Sequence, residues 1–315
     1  MGRSARPFRT SVVSGMAAQQ NVDLVVVGAD GSWQSQRAVE AATREASRRG
    51  GTLLVLTVAR GDGTAVGLAE LRRLEESAVA AARAVSKRAV EAARATDSAV
   101  PVEAVVLTSL DAPELGAVLG RADLLVLGGH GRLGQAAFSL GSTSGELARR
   151  LRAPVLLPRI DAPPRGPSVD RSAEVHLGLS GREPEGDLVR LAAREAARRG
   201  ASLRVIRAVP SSHPGEGLQH EVEEVWETVR GVAAAASVPC QVEVVQDDPV
   251  TALLARCAPD DLLVVGTRGG GTLAGLVQGS VARGVLDGLL CDVIVVPPGA
   301  RDVAKAPSAS AVQVG

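Results

Sequence analysis

Most of this sequence consists of two similar copies in tandem. The segment VDLVVVGADGS from residue 22 returns as EVHLGLSGRE from residue 174, and ADLLVLGGHG at 122–131 returns as DDLLVVGTRG at 260–269. The offset between the copies is 150 residues from Gly28 to Gly178 and 138 from Gly131 to Gly269, so the second copy is 12 residues shorter. The repetition predicts two similar domains in tandem.

Each copy alternates short apolar runs with amphipathic helical patterns, in the order β-α-β-α-β-α-β-α-β. The strands are too apolar to have one wet face, so each copy is predicted to be a parallel sheet with helices on both faces. The long helical pattern LAELRRLEESAVAAARAVSKRAVEAARA has an apolar stripe formed by Leu71, Leu74, Ala78, Ala82, Val85 and Ala89. We therefore predict an α/β fold with two tandem, doubly wound parallel sheets. Ligands of such sheets bind at the carboxyl ends of the strands.

The copies place domain 1 at residues 21–158 and domain 2 at residues 174–297. The Pro- and Arg-rich stretch 159–173 between them is predicted to be a linker. Residues 1–20 carry positive charge without the apolar core of a signal peptide, so we expect a disordered leader. Residues 298–315 are expected to be a disordered tail.

The charge of the chain is balanced, with 35 Lys plus Arg, 35 Asp plus Glu and a formal net charge of zero. No long-range field would gather nucleic acid or anionic lipid, so we expect neither nucleic acid nor a membrane as a partner. The only lysines are Lys87 and Lys305. Chemistry that needs a lysine beside a phosphate is therefore disfavoured.

Cys240, Cys257 and Cys291 are odd in number and lack CxxC spacing, which indicates neither a disulfide framework nor a zinc site. Unpaired cysteines fit a reducing cytoplasm, the location we expect. No apolar run approaches the ~18 residues of a membrane span. The sequence leaves open whether translation starts at Met1 or Met16.

The stretch GGHGRLGQAAFSLGSTSG at 128–145 is the richest in glycine, and three enzyme motifs partly fit it. Residues 129–134 match GxGxxG, but that fingerprint opens a helix after the first strand, whereas this one follows the fourth. A P-loop would need a lysine, which the stretch lacks. GSTSG at 141–145 resembles a nucleophile elbow, but its centre is Thr143 and no histidine is placed to activate it.

Both copies instead share GxxG, nine residues and then Gly-Ser. The positions are Gly128, Gly131, Gly141 and Ser142 in the first copy and Gly266, Gly269, Gly279 and Ser280 in the second. Such glycines let backbone N–H groups approach an anion, and Gly-Ser at a helix start adds a hydroxyl and the positive end of the helix dipole. Helix capping by Thr143 and Glu146 is the structural alternative. The same spacing in both copies favours anion binding.

In these features the chain resembles a tandem universal stress protein of the UspA type. The resemblance covers about 22–158 and 174–297, and G-x2-G-x9-G-[ST] matches the signature of the ATP-binding branch of that family. It implies a five-stranded sheet of order 3-2-1-4-5 in each domain, with ATP, accompanied by Mg²⁺, between the ends of the first and fourth strands. It also implies that the domains pair edge to edge through their fifth strands, APVLLP and CDVIVVP.

The resemblance assigns site residues by position. Asp30, beside Ala29 in GADGS, matches the acidic residue that contacts the nucleoside, and Val58 matches the residue beside the adenine. The residues implied to hold ribose and phosphates are Gly128, Gly131, Gly141, Ser142 and Thr143. His130 is either a phosphate neighbour or an exposed loop histidine. Asp111 is either the acidic turn after the third strand or an N-cap.

The second copy departs from the pattern in its first turn. Ser180 replaces the acidic residue, Arg182 replaces the usual serine, and Ala208 stands where Val58 does. Its phosphate loop is intact at Gly266, Gly269, Gly279 and Ser280. We therefore expect domain 1 to be the stronger nucleotide site and domain 2 a partly degenerate one.

The sequence thus predicts an ATP-binding, stress-response regulatory protein, with domain 1 and domain 2 paired as a pseudo-dimer and association into a homo-oligomer left open. The alternatives are an ATP-independent interaction or scaffold protein and a slow ATPase. An enzyme is not expected as the main role, because no paired carboxylates or metal cluster accompany the glycine loop. The sequence does not identify the inducing stress or the downstream partner.

Overall fold

The computed structural model describes residues 22–59, 68–108, 113–129, 153–159, 173–181, 185–210, 218–267, 280–288 and 290–300. The first half contains β1 (Leu24–Gly28), α1 (Trp33–Arg48), β2 (Thr52–Val58), α2 (Leu68–Thr96), β3 (Val102–Leu107), α3 (Pro113–Leu119), β4 (Leu124–Val126) and β5 (Val155–Leu157). The second half contains β6 (Glu174–Leu179), α4 (Gly186–Arg199), β7 (Ser202–Val209), α5 (Leu218–Ala235), β8 (Cys240–Gln246), α6 (Pro249–Leu254), β9 (Leu262–Gly266), α7 (Ser280–Asp287) and β10 (Asp292–Val296). The predicted leader, residues 160–172 of the linker and residues 301–315 of the tail lie outside the described ranges.

The strands of both halves form one continuous sheet, because the halves pair edge to edge through their fifth strands, as the resemblance implied. Its order is β3-β2-β1-β4-β5-β10-β9-β6-β7-β8, so each half follows 3-2-1-4-5 when read from its outer edge. Within each half the neighbouring strands are parallel. The two sheets join because β5 and β10 pair antiparallel, with Leu156 opposite Ile294. Pairing satisfies backbone groups that would otherwise line two open edges.

The core lies in two layers, one on each face of this sheet. On one face, alternate strand residues such as Val25 and Val27 pack with alanines of α1. On the other face, the intervening residues such as Val26 pack with Leu115 of α3. The predicted stripe of α2 lies against the sheet, where Leu74, Ala78, Ala82, Val85 and Ala89 are buried or half-buried. The side chain of Leu71 is outside the described set.

The C-terminal ends of α1 and α4 meet across the join between the halves. Arg49 donates to Glu195 Oε1 at 2.5 Å, and Arg199 donates to Glu45 Oε1 at 2.6 Å. Glu45 and Arg49 are the first-half equivalents of Glu195 and Arg199, so the two contacts are related by the duplication. The additional pair, Arg198 with Asp23 Oδ2 at 2.8 Å, has no equivalent because Ala173 occupies the position that corresponds to Asp23. We call this set the charged seam: Asp23, Glu45, Arg49, Glu195, Arg198 and Arg199.

The charged seam is buried, and its electrostatics are strong. Glu195 is fully buried, which works to raise the pKa of its carboxyl group, but the guanidinium groups of Arg49, Arg199 and Arg198 outweigh burial and hold that pKa at about 2. Burial likewise works to lower the pKa of Arg199, yet Glu45 and Glu195 raise it above its ordinary value. Glu195 and Arg199 therefore stay ionised in the folded protein at neutral pH.

Equivalent aspartates anchor the start of the central strand in each half. Asp123 Oδ2 accepts the N–H of Leu24 at 2.7 Å, and Asp261 Oδ1 accepts that of Glu174 at 2.9 Å. Asp261 also lies 3.0 Å from Nε2 of the fully buried His176, for which the first half has a valine. The second half thus contains a buried polar pair where the first half contains aliphatic packing.

Candidate functional site

The carboxyl ends of β1, β2 and β4 lie together at one edge of the first-half sheet. Gly28 pairs with Leu56, and Val27 pairs with Val126. The residues that follow these strands therefore gather at this edge, where the order of strands along the chain reverses. Asp30, Val58 and Gly128 are among them, so the fold brings together three of the predicted positions.

Asp30 is held in the turn between β1 and α1. Its Oδ1 accepts hydrogen bonds from the backbone N of Ser32 at 2.9 Å and from the Ser32 hydroxyl at 2.6 Å. The same hydroxyl caps α1 by accepting the N–H of Ser35 at 3.1 Å. Gly31 adopts φ +86°, a left-handed conformation that favours glycine. The turn therefore fixes an exposed carboxylate beside the start of a helix.

The ionisation of Asp30 follows from this geometry. Partial burial of the carboxyl group works to raise its pKa, but the hydrogen bonds from the side chain and backbone of Ser32 outweigh that effect and lower the pKa. Asp30 is therefore an anion at neutral pH, suited to accept hydrogen bonds from neutral donors such as hydroxyl groups.

The other described first-half positions contribute backbone and shape. Ala29 is buried and its N–H donates to Leu56 O at 2.9 Å, so this N–H is already used within the sheet. Val58 is half-buried at the end of β2. A Cβ added to Gly128 would lie 2.9 Å from the backbone C and O of Gln34. Gly128 thus allows the end of β4 to contact the first turn of α1, a packing role that the anion-binding interpretation did not anticipate.

Many predicted positions lie outside the described residues. They are His130, Gly131, Gly141, Ser142 and Thr143 of the first glycine loop, Gly269 and Gly279 of the second, Arg182, and Asp111. Ser280 begins α7, but its side chain is not described. The phosphate-binding part of the site therefore stays a prediction, and the geometry available is that of the strand ends and first turns.

In the second half, the turn after β6 is occupied by a side chain of the protein itself. Glu185 Oε1 accepts the N–H of Ser180 at 2.6 Å and its hydroxyl at 2.8 Å, and Oε2 accepts the N–H of Gly181 at 3.2 Å. Both carboxylate oxygens are directed onto the turn. The predicted loss of the carboxylate at Ser180 is thus accompanied by the presence of another carboxylate, that of Glu185, five residues later along the chain.

Arg207 lies against the same turn. It is the residue of β7 that precedes Ala208, and a Cβ added to Gly181 would overlap its guanidinium group. Arg207 is held there by Glu221 at 2.5 Å and Glu224 at 3.2 Å, both on α5. Gly181 itself has φ +72°, which again requires a residue that tolerates the left-handed region.

The sequence contained a signal for Glu185 and Arg207 that residue-by-residue comparison with the family signature missed. With the 150-residue offset, Glu185 corresponds to Ser35 and Arg207 to Thr57. Both changes place a charged side chain beside the turn where the first half has a small hydroxyl residue. Comparing the two halves with each other would have identified these positions.

The three cysteines are all among the described residues, and none is in a disulfide. Burial raises the pKa of the Cys240 thiol to about 11. The pKa of Cys291 is also raised, by a hydrogen bond with Cys257 and by burial. These two thiols are therefore protonated at neutral pH, the less nucleophilic form.

No group of three or more His, Cys, Asp or Glu side chains among the described residues is arranged to hold a metal ion. None of the helices in the described ranges is long and apolar enough to cross a membrane.

The doubled α/β unit and the strand-end turn define the class to which the chain belongs. The model of the universal stress protein family matches it twice, at residues 17–159 and 175–297. The chain therefore belongs to the universal stress protein family, in a tandem form with two copies of the domain.

Relatives and solved structures agree with this assignment. Universal stress protein Rv1996 of Mycobacterium tuberculosis is 30% identical over 315 residues, which cover 89% of this chain and 96% of the relative. Universal stress protein Rv2005c of the same organism is 32% identical over 287 residues, covering 86% and 96%. The crystal structure of a universal stress protein from Archaeoglobus fulgidus matches with a TM-score of 0.65 at 17% identity, covering 88% of this chain and 99% of that one. This last similarity concerns the fold.

Proposed function

We propose that the chain is a stress-response regulatory protein that binds an adenine nucleotide, ATP with Mg²⁺, in its first half. The observation that carries the proposal is the Asp30 carboxylate, fixed by Ser32 where the ends of β1, β2 and β4 meet. A carboxylate in that position accepts hydrogen bonds from the hydroxyls of a ribose. Membership of the family supports the choice of ligand, because the glycine-loop spacing matches its ATP-binding branch.

The residues expected to hold the nucleotide divide by what they contact. Asp30 accepts from the sugar, Val58 provides an apolar surface beside the base, and the glycine loop with the following Gly-Ser donates N–H groups to the phosphates. The described residues supply no preformed metal cluster. Mg²⁺ is therefore proposed to arrive with the phosphates, whose oxygens are its preferred ligands.

Calorimetric titration of ATP with Mg²⁺ into the full chain tests the proposal. Asp30→Ala is expected to weaken binding by about 10–100-fold, since a hydrogen bond to a charged group contributes about 1.5–3 kcal/mol. Ser180→Ala, at the equivalent position of the second half, is the matched control and should leave the affinity of the first site unchanged. A wild-type chain that binds no ATP would overturn the proposal and favour an interaction protein that works without nucleotide.

The two halves are further proposed to act together as an internal pseudo-dimer. The antiparallel pairing of β5 with β10 and the charged seam support this reading. A homo-oligomer would need another surface, because β5 and β10 already pair with each other. Sedimentation of the full chain measures whether such an assembly forms.

We further propose that the chain has no catalytic role and that it is located in the cytoplasm. The absence of catalysis is tested by incubating the purified chain with ATP and measuring phosphate release, which we expect not to exceed that of Asp30→Ala. The location is supported by the three unpaired thiols, which suit a reducing compartment. Cell fractionation tests it directly.

A further inference from the structure

We propose that the second half closes its own nucleotide site with Glu185 and Arg207, so that the chain holds one adenine nucleotide and not two. The inference rests on the proposed function of the first half. It goes beyond the loss of an acidic residue at Ser180, because it assigns the closure to two side chains that are present rather than to one that is missing.

The first step is the position of the Glu185 carboxylate. Consecutive N–H groups of Ser180 and Gly181, together with the Ser180 hydroxyl, all point at it. Consecutive backbone donors in a turn that ends in a left-handed residue form a concave site for an anion. The protein's own carboxylate occupies this site and satisfies its donors.

The first half shows what the same turn looks like without this side chain. Ser35 replaces Glu185 there, and its hydroxyl donates to Ser32 O at 2.9 Å within the helix start. The carboxylate of the first turn belongs to Asp30, is exposed, and is oriented by Ser32. The first half thus presents a carboxylate to solvent, whereas the second half directs a carboxylate inward onto its backbone.

The second step is Arg207, which closes the turn from the side of α5. Its guanidinium group lies over Gly181 and is held by Glu221 and Glu224. The first-half equivalent, Thr57, is a buried residue too short to reach the turn. The two glutamates of α5 that pair with Arg207 also differ from the first half, where the equivalent residues are Arg83 and Ser86. One large ion-paired side chain therefore fills the space beside the second turn.

The consequence for a nucleotide is both steric and electrostatic. A ribose at this turn would have to displace Glu185 from three hydrogen bonds, and the displaced carboxylate would then lie near the negative phosphates. An attached carboxylate also competes at a high effective concentration, since it needs no encounter from solution. The second half is therefore expected to exclude ATP even though its glycine loop keeps the family spacing.

The decisive experiment removes the first site and opens the second. In an Asp30→Ala background, titration of ATP with Mg²⁺ should show only the residual binding of the first site, about 10–100-fold weaker than in the wild-type chain. Adding Ser180→Asp, Arg182→Ser, Glu185→Ser and Arg207→Thr installs the first-half residues and should create one site, with an affinity within about tenfold of the wild-type first site. A matched control with Ser180→Asp and Arg182→Ser alone should create none, because Glu185 and Arg207 remain in place.

The outcomes separate this inference from the proposed function. A wild-type chain with two sites, the second lost on Glu185→Ala, would overturn the inference and show that Glu185 replaces Asp30 as the ribose acceptor. A folded, opened variant that binds nothing would also overturn it. A wild-type chain without any site contradicts the proposed function, whereas a site gained on opening would still support closure by Glu185 and Arg207.

A measurement without nucleotide tests the position of Glu185 directly, and it does not depend on the folding of the multiply substituted variant. Amide hydrogen exchange at Ser180 and Gly181 should be slow in the wild-type chain, and at least about tenfold faster in Glu185→Ala, because the carboxylate that accepts both N–H groups is gone. Unchanged exchange at these two amides would show that Glu185 does not occupy the turn in solution. Exchange in β1 serves as the internal reference, since that strand lies in the other half.

Discussion

The two halves of this protein share a fold and differ in what they do with one carboxylate. In the first half, Asp30 sits on the turn after β1 and is held facing solvent by Ser32. In the second half, Glu185 reaches back from the start of α4 and accepts three hydrogen bonds from the equivalent turn. Both turns contain a carboxylate, so residue type alone does not distinguish an open site from a filled one. The direction in which the carboxylate points distinguishes them.

A second contrast is between the charged seam and the strand-end turns. The charged seam uses equivalent residues from both halves, Glu45 with Arg49 and Glu195 with Arg199. Such symmetry is expected of a sequence that was duplicated while its copies stayed in contact. The strand-end turns have diverged, because Asp30, Ser35 and Thr57 of the first half correspond to Ser180, Glu185 and Arg207 of the second. The two copies are thus more alike in the charged seam than in the turns after β1 and β6.

The largest effect is expected from breaking the seam on one side. Glu195→Gln should lower the free energy of unfolding by about 3–5 kcal/mol, because it removes the fully buried charge that pairs with Arg49, Arg198 and Arg199. Glu45→Gln, the matched change in the first half, should cost less, since Glu195 contacts three arginines closely whereas Glu45 contacts Arg48 and Arg199. Urea denaturation of the full chain measures both. Equal costs would show that the seam is energetically symmetric.

Acid should weaken the seam in a defined range of pH. The pKa of Glu195 is about 2 in the folded chain, below its ordinary value of 4.5, so its contribution is complete above pH 4.5 and is lost as the pH falls towards 2. The wild-type chain should therefore lose more stability than Glu195→Gln between pH 4.5 and 2. Parallel curves of stability against pH for the two proteins would contradict the role assigned to Glu195.

A smaller effect is expected where the glycine loop begins. Gly128→Ala should cost about 1–3 kcal/mol, because the added Cβ would lie 2.9 Å from the backbone of Gln34, which cannot move without shifting α1. Gly266→Ala, its second-half counterpart, would meet only the Leu188 side chain at 3.2 Å and should change stability by less than about 0.5 kcal/mol. Thermal unfolding compares the pair. Equal shifts in Tm would remove the packing explanation for Gly128.

The smallest effect is expected at the buried histidine of the second half. His176→Val, which restores the first-half residue, loses the contact with Asp261, but it also removes a buried Nδ1 for which the described residues offer no hydrogen-bond partner. These effects oppose each other, so the free energy of unfolding should change by less than about 1 kcal/mol. A loss above about 3 kcal/mol would show that the pair with Asp261 anchors β6.

The sequence predicted the fold well because hydrophobic periodicity and repetition are local signals that survive duplication. Apolar runs too continuous to alternate indicated parallel strands buried on both faces, and the stripe along α2 indicated its contact with the sheet. The position of Asp30 was also predictable, because a turn after a first strand lies at the carboxyl edge of any doubly wound sheet. The glycine-loop residues were placed at the same edge by the same reasoning, and their placement stays a prediction.

Other features could not be predicted from single positions. Gly128 was assigned to anion binding, yet its lack of a side chain is required by contact with Gln34. Glu185 and Arg207 carry no signal at their single positions, because a glutamate before a helix and an arginine near a strand end are ordinary surface residues in a sequence. Their effect depends on how two side chains reach one turn from α4 and β7.

By itself the sequence determined the class of fold, the presence of two copies of the domain and the order of elements in each half. These properties follow from patterns of apolar residues and glycines along the chain. Only the tertiary structure decided that arginines and glutamates from distant segments meet in the charged seam and that the second turn is filled. The physical reason is that ion pairing and the occupancy of a turn both depend on distances between groups far apart in the chain, which no local pattern encodes.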